Sequence, residues 1–236
     1  MITQIVGSFM PKTIECLKDD IARIKTHEDD FDILEIRIDA IKNVTAQHIE
    51  CILRQLKEAS IHCEKLITFR TEQQGGESGI TEEAYWSLMR ELADMKDVTY
   101  IDIEWDRTLN RKQLVNELQS KGIQVVISYH NFEETPQLEV LKKTYYYMSQ
   151  WGGTHLKIAV MPHTKNDVIT LLQVVSEASD ALQQWVTGIS MSKLGVLSRT
   201  AQQTFGGALT YGSIQEGVAP GQLNVKTLKS AMALYQ

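Results

Sequence analysis

Ionisable side chains recur at every second position in several short apolar runs of this 236-residue chain. In Thr154–Pro162, Leu156, Ile158 and Val160 alternate with His155, Lys157, Ala159 and Met161. The run is bounded by Gly152-Gly153 and Pro162, which reads as a buried strand with Lys157 turned away from its aliphatic face. A lysine pointing into the centre of a sheet loses hydration, and its pKa falls from about 10.4 towards neutrality. The resulting free amine is a nucleophile for a carbonyl. Charged strand residues usually reach water, so Lys157 alone decides nothing.

Its companions decide more. Glu35, Arg37 and Asp39 alternate with Leu34, Ile36 and Ile38. Arg70 follows Thr68 across Phe69, Asp102 and Glu104 alternate with Ile101 and Ile103, and His130 follows Ser128. A seventh run sets Gly188, Ser190 and Ser192 against Ile189 and Met191, and the small polar set is assigned to the inside. Burying one ion costs several kcal/mol unless partners compensate, so a convergence of eight ionisable groups is a poor way to stabilise a core. It reads as a site. Arg37, Arg70 and Arg199, just past the seventh run, are fixed cations whose planar forks suit a carboxylate or several hydroxyls. His130 titrates near neutrality and suits proton transfer. The chemistry indicated is imine formation on a hydroxylated keto acid.

Such a site needs parallel strands that deliver side chains to one place. Strand-like runs at 4–9, 32–39, 65–70, 100–105, 124–130, 154–162, 185–192 and 209–214 alternate with helical patterns at 13–24, 45–59, 81–95, 109–120, 137–150, 165–178, 197–204 and 225–234. Eight strand–helix units predict an α/β fold, a (β/α)8 TIM barrel, as a single domain over 1–236. An open doubly wound sheet is the alternative, but the first run ends in Ser8-Phe9-Met10-Pro11 without a glycine-rich fingerprint.

The bulk composition narrows the partners. A net charge of −6 favours neither nucleic acid nor anionic membrane. No apolar run approaches the roughly 20 residues of a membrane span, and the start lacks a signal peptide's pattern. Cys16, Cys51 and Cys63 show no paired spacing, which with no export signal suggests a cytoplasmic protein with reduced thiols. No metal-ligand spacing occurs, and no cofactor is expected. Gly152-Gly153 and Gly206-Gly207 precede strands and read as helix ends rather than phosphate cradles. His155 reads as a packed, hydrogen-bonded core residue, and Tyr145-Tyr146-Tyr147 as a helix face packed on the barrel or a partner. His163, after Pro162, is a lesser candidate for the neighbourhood of the site.

Seven stretches then resemble one family, the type I 3-dehydroquinate dehydratases: Glu35–Asp39, Thr68–Thr71, Tyr129–Phe132, Lys157–Pro162, Ser190–Gly195, Ser198-Arg199 and Ala219-Pro220-Gly221-Gln222. They occur in order over essentially the whole chain. The resemblance implies a metal-free shikimate-pathway enzyme that converts 3-dehydroquinate to 3-dehydroshikimate and water. It implies Lys157 as the Schiff-base lysine and His130 as the proton-transfer residue. Ser8, Glu35, Arg37, Arg70 and Gln222 would contact substrate oxygens, and Arg199 the carboxylate. Asp39 and Asp102 are candidates for fixing the orientation of His130. The resemblance also implies a homodimer. Two positions depart from the family pattern: Gln74 stands where relatives often carry a carboxylate, and Val218 where they often carry a serine. Two other readings of the residues remain: a class I aldolase acting on sugar phosphates, and a keto-acid-binding barrel without turnover.

Overall fold

Alternation of aliphatic with polar residues lets a strand face helices on one side and a shared interior on the other. A computed structural model, describing residues 2–14, 17–215 and 219–235, shows eight such strands: β1 (Gln4–Phe9), β2 (Ile33–Arg37), β3 (Glu64–Thr68), β4 (Tyr100–Glu104), β5 (Gln124–Asn131), β6 (His155–Val160), β7 (Trp185–Ser190) and β8 (Leu209–Ser213). Helices α1 (Lys18–Thr26), α2 (Ala46–Glu58), α3 (Glu82–Leu92), α4 (Lys112–Ser120), α5 (Leu138–Ser149), α6 (Lys165–Ala181), α7 (Val196–Thr200) and α8 (Val225–Met232) follow them in turn. The strands are parallel in the spatial order β7-β6-β5-β4-β3-β2-β1-β8. At the seam Ala208 N–H donates to Val186 O at 2.7 Å, and Leu209 N–H to Thr187 Oγ1 at 3.0 Å. The sheet thus comes round on itself as the expected (β/α)8 barrel.

Two apolar layers hold it. The outer one, between strands and helices, contains Leu34, Ile36, Ile67, Ile101, Ile103, Val125, Ile127, Leu156 and Ile158. The inner one contains Val6, Ile33, Leu66, Tyr100, Val126, Ala159, Ile189, Met191, Leu209 and Tyr211. The inner layer shows where β7 differs from its sequence reading. Ile189 and Met191 face inward, not Gly188 and Ser190; Ser192 lies past the end of the strand, with φ of +59°. The cause lies on α6: a Cβ at Gly188 would fall 2.2 Å from Val175 Cγ2, so the glycine is spent on close helix packing outside the barrel. Ser190 also faces the helix layer, where its N–H bonds to Ser198 Oγ at 2.8 Å.

Several ends also differ. Helix α1 lies at 18–26 rather than 13–24; Asp19 and Asp20 in its first turn and Arg23 and Lys25 in its last suit the helix dipole. Helix α4 begins at Lys112 rather than 109, because Asp106 and Asn110 accept backbone N–H bonds from Thr108 and Lys112 and hold the preceding residues in turns. Strand β2 stops at Arg37 and gives way to a 3₁₀ turn at Ile38–Ala40. The 197–204 helix is split into α7 and a 3₁₀ turn at Gln202–Phe205. Gly152 and Gly206 have φ of +82° and +78°, the left-handed geometry of helix ends.

Among the described residues no helix is long and apolar enough to cross a membrane, and no group of three His, Cys, Asp or Glu could hold a metal ion. Cys51 and Cys63 are free thiols. Cys16 and Val218 lie outside the described residues.

Candidate active site

The C-terminal strand ends carry the site. Ser8, Glu35, Arg37, Arg70, His130, Lys157, Arg199 and Gln222 line one cavity, together with Gln74, Phe132, Ile189, Met191 and Tyr211. Lys157 pairs in register with Ser128 of β5 and Thr187 of β7. Its side chain is buried, and its Nζ lies 4.1 Å from the centroid of the Tyr211 ring. Burial lowers its pKa to about 8, with Glu35 opposing and Arg70 assisting. About a tenth of the amine is therefore unprotonated at pH 7, far more than for an exposed lysine.

Arg70 and Arg37 are held by carboxylates. Arg70 Nη2 lies 3.0 Å from Asp102 Oδ1, and its Nη1 lies 2.9 Å from Glu104 Oε1. Ser128 Oγ accepts from Arg70 and donates to Asp102 at 2.7 Å. Arg37 grips Asp39 with two bonds of 2.8 and 2.9 Å. Asp39 also accepts from the backbone N–H groups of Arg70 and Glu77. Burial would raise the Asp39 pKa, but the Arg37 bonds and charge, with the two backbone donors, hold it below the usual carboxylate range.

Arg199 differs from both. It is 2 % exposed and donates to the carbonyls of Tyr211 and Pro220. Its Nε has no partner, and no carboxylate pairs with it among the described residues. Burial lowers its pKa to about 10, so it remains a buried cation open to an anion.

A hydrogen-bonded line runs from the loop after β8 across β1 to β2. Gln222 Nε2 donates to Ser8 Oγ at 3.1 Å, and Ser8 Oγ donates to Glu35 Oε2 at 2.6 Å. Thr68 Oγ1 donates to Glu35 Oε1. Gly221 has φ of +72°, and a Cβ there would lie 2.1 Å from Ser192 O. The glycine lets the loop after β8 lie against the β7 loop, where Ser192 N–H donates to Pro220 O.

His130 stacks on Phe132 with centroids 6.4 Å apart. Burial, then the charges of Arg70, Lys157 and Arg37, hold its pKa well below the ordinary value. The imidazole is neutral at neutral pH and able to accept a proton. Its bonded neighbour is Gln74, not Asp39 or Asp102: Gln74 Oε1 lies 2.9 Å from His130 N and 3.1 Å from its Nδ1. The two aspartates serve the arginines instead, because each guanidinium lies along or beside its own strand and claims both oxygens or the nearer one. His163 lies outside the cavity, with its Nε2 against Glu133 O. His155 packs edge-on to Tyr100 in the barrel floor; its Nδ1 has no partner among the described residues, so it is packed but not bonded there.

Alternation along β8 puts Leu209, Tyr211 and Ser213 on one face, so Tyr211 was available to sequence reasoning but carried no distinguishing motif. Gln74 carries no signal in the sequence beyond its departure from the family pattern. The assembled groups are an amine of lowered pKa, a neutral imidazole, a buried cation with no carboxylate partner among the described residues, and hydroxyl-binding groups beside them. They suit imine chemistry on a small hydroxylated keto acid.

Residues 8–236 match the sequence pattern of the family described as Type I 3-dehydroquinase. A 3-dehydroquinate dehydratase of Staphylococcus haemolyticus is 46 % identical over 215 residues, covering 90 % of this chain and 89 % of that protein. The crystal structure of a type I 3-dehydroquinate dehydratase from Clostridium difficile, with covalently modified comenic acid, is 32 % identical with a TM-score of 0.89, over 99 % of this chain and 92 % of that one. The structure of a 3-dehydroquinate dehydratase from Enterococcus faecalis is 30 % identical with a TM-score of 0.86, over 99 % and 94 %.

Proposed function

Because the chain belongs to the type I 3-dehydroquinase family, we propose that it removes water from 3-dehydroquinate through an imine formed on Lys157. The supporting observation is Lys157 itself: a buried amine with a pKa lowered to about 8, on the same cavity as His130 and Arg199. The structure of the Clostridium difficile relative with covalently modified comenic acid is in keeping with this reading.

The steps follow from the groups present. The Lys157 amine attacks the substrate ketone, and the adduct loses water to give a protonated imine. That cation withdraws electrons from the adjacent carbon and acidifies its C–H. His130 takes the proton, the electron pair forms an enamine, and the enamine expels the hydroxyl one carbon further on. His130 returns its proton to that leaving oxygen, and water then hydrolyses the imine, releasing 3-dehydroshikimate and the free amine. Arg199 pairs with the substrate carboxylate, which neutralises a buried cation that has no carboxylate partner among the described residues. Ser8, Glu35, Arg37, Arg70 and Gln222 hold the hydroxyls, so binding energy fixes the ring with its C–H towards His130.

The reading places the chain in the shikimate pathway as one barrel domain over 1–236, working in the cytoplasm as a homodimer. Light scattering at assay concentration tests the dimer. Solvent hydrogen exchange tests the division of labour. His130→Ala is expected to lose turnover and exchange of the substrate proton into water. Retention of both at the wild-type rate would remove His130 from its role.

A further inference from the structure

Strand β4 is joined unequally to its two neighbours. It pairs with β5 over its full length, from Tyr100↔Gln124 to Glu104↔Ser128. Among the described residues it pairs with β3 only at Leu66↔Tyr100 and Ile67↔Ile101. A parallel strand presents the N–H and C=O of alternate residues to each neighbour. Trp105 N–H bonds to Ser128 O on β5, so Asp102 and Glu104 turn their backbone groups towards β3. Beyond Ile101 those groups meet no strand.

Side chains take the strand's place. The Tyr85 hydroxyl donates to Asp102 O at 3.4 Å and accepts from Glu104 N–H at 3.3 Å. Arg111 donates to Glu104 O at 3.0 Å. Both side chains are buried. The Arg111 guanidinium lies 4.0 Å from the Tyr85 ring centroid and grips Glu82 with two bonds of 2.8 and 2.6 Å. Glu82 and Tyr85 stand three residues apart on α3 and so share one face of it. On the inner side the split is filled by the chain after β3. Arg70 spans Asp102 and Glu104, and Thr71 donates to Glu104 through its N–H and its hydroxyl.

We propose that Arg111, with Tyr85, is a positioning residue for substrate binding: it holds the end of β4 apart from β3, so that Asp102 and Glu104 together aim the Arg70 fork into the cavity. The inference deepens the proposed function and rests on Arg70 holding a substrate oxygen. A buried carbonyl left without a donor is destabilising. Without Arg111 the Glu104 backbone turns to find another donor and carries its carboxylate away from Arg70. A guanidinium held by one acid instead of two can swing, and a substrate hydroxyl then meets it in several poses. Neither Arg111 nor Tyr85 lines the substrate cavity, so their effect on binding passes through Arg70.

Tyr85→Phe removes one oxygen and keeps the ring that packs on Phe69 and Arg111. Arg111→Met removes the donor to Glu104 O. KM for 3-dehydroquinate is expected to rise about tenfold in Arg111→Met and about threefold in Tyr85→Phe, with kcat changed by less than about twofold. An Arg70→Lys background separates positioning from a general loss of structure. Lysine has no fork to aim, so adding Arg111→Met there is expected to raise KM by less than about twofold. The full tenfold rise in that background would overturn the proposal. So would a wild-type KM in both folded single variants, or a fall in kcat with KM unchanged. Where Arg111→Met fails to fold, Tyr85→Phe decides: the supporting result is its threefold rise in the otherwise wild-type protein and none beside Arg70→Lys. Failure of the wider reading would look different, because Arg70→Lys alone would then leave KM unchanged.

Discussion

The Lys157 ammonium lies over the face of the Tyr211 ring, 4.1 Å from its centroid, at the floor of the cavity. The ring quadrupole favours the charged amine, whereas burial favours the neutral one, and burial prevails. The contact therefore keeps the pKa from falling further. On the free enzyme the amine must be unprotonated to attack, so kcat/KM is expected to rise through about pH 8 and level off above it. Replacing Tyr211 with Leu removes the π face and is expected to move that limb down by about half to one pH unit. Tyr211→Phe keeps the face and is expected to leave the limb in place. A pH–rate series on the three proteins checks the sign.

Arg199→Met tests the isolated cation. Substrate binding is expected to suffer most, with KM up by about 100-fold, because a buried hydrogen-bonded charge pair is worth several kcal/mol in binding. Stability is expected to hold or rise, since the variant removes a buried charge that no carboxylate pairs with among the described residues. Thermal unfolding beside steady-state kinetics separates the two effects. A clear drop in Tm with an unchanged KM would reverse the assignment.

Asp39→Ala is expected to act in the opposite way. It strips Arg37 of both its bonds and leaves the N–H groups of Arg70 and Glu77 without their acceptor. Breaking a buried pair costs about 3–5 kcal/mol, so urea unfolding is expected to show a loss of that order. The loop carrying Gln74 hangs on the same aspartate, so kcat should fall with stability. A change under about 1 kcal/mol would mean that the loop is held elsewhere.

The behaviour of β7 shows what was legible in the sequence. On β2, β3, β4, β5 and β6, alternation of large aliphatic with charged residues has only one sensible phase, and the inward set could be read directly. On β7 the choice lay between Ile189 and Met191 on one side and Gly188 and Ser190 on the other. Polarity favoured the serines, but volume decided: α6 approaches so closely at Gly188 that no side chain fits there. That distance is a tertiary fact with no local signature. Asp39 and Asp102 were visible as inward acids, yet their partners depended on which guanidinium lay within reach. Gln74 sits in a loop, where position follows from Gly75, Gly76 and the Phe132 ring rather than from any periodicity.

Lys157→Ala is expected to fold, because the truncation lies at a cavity wall rather than in the packed layers, and to lose turnover by several orders of magnitude. Circular dichroism and the enone absorbance of the product report the two properties on one sample.

The most direct measurement is borohydride reduction of the protein in the presence of 3-dehydroquinate, followed by peptide mass analysis. The expected result is one equivalent of reduced adduct on the peptide containing Lys157, absent without substrate. An adduct on Lys65, the other buried lysine, or full turnover with no adduct on any lysine, would contradict the imine on Lys157.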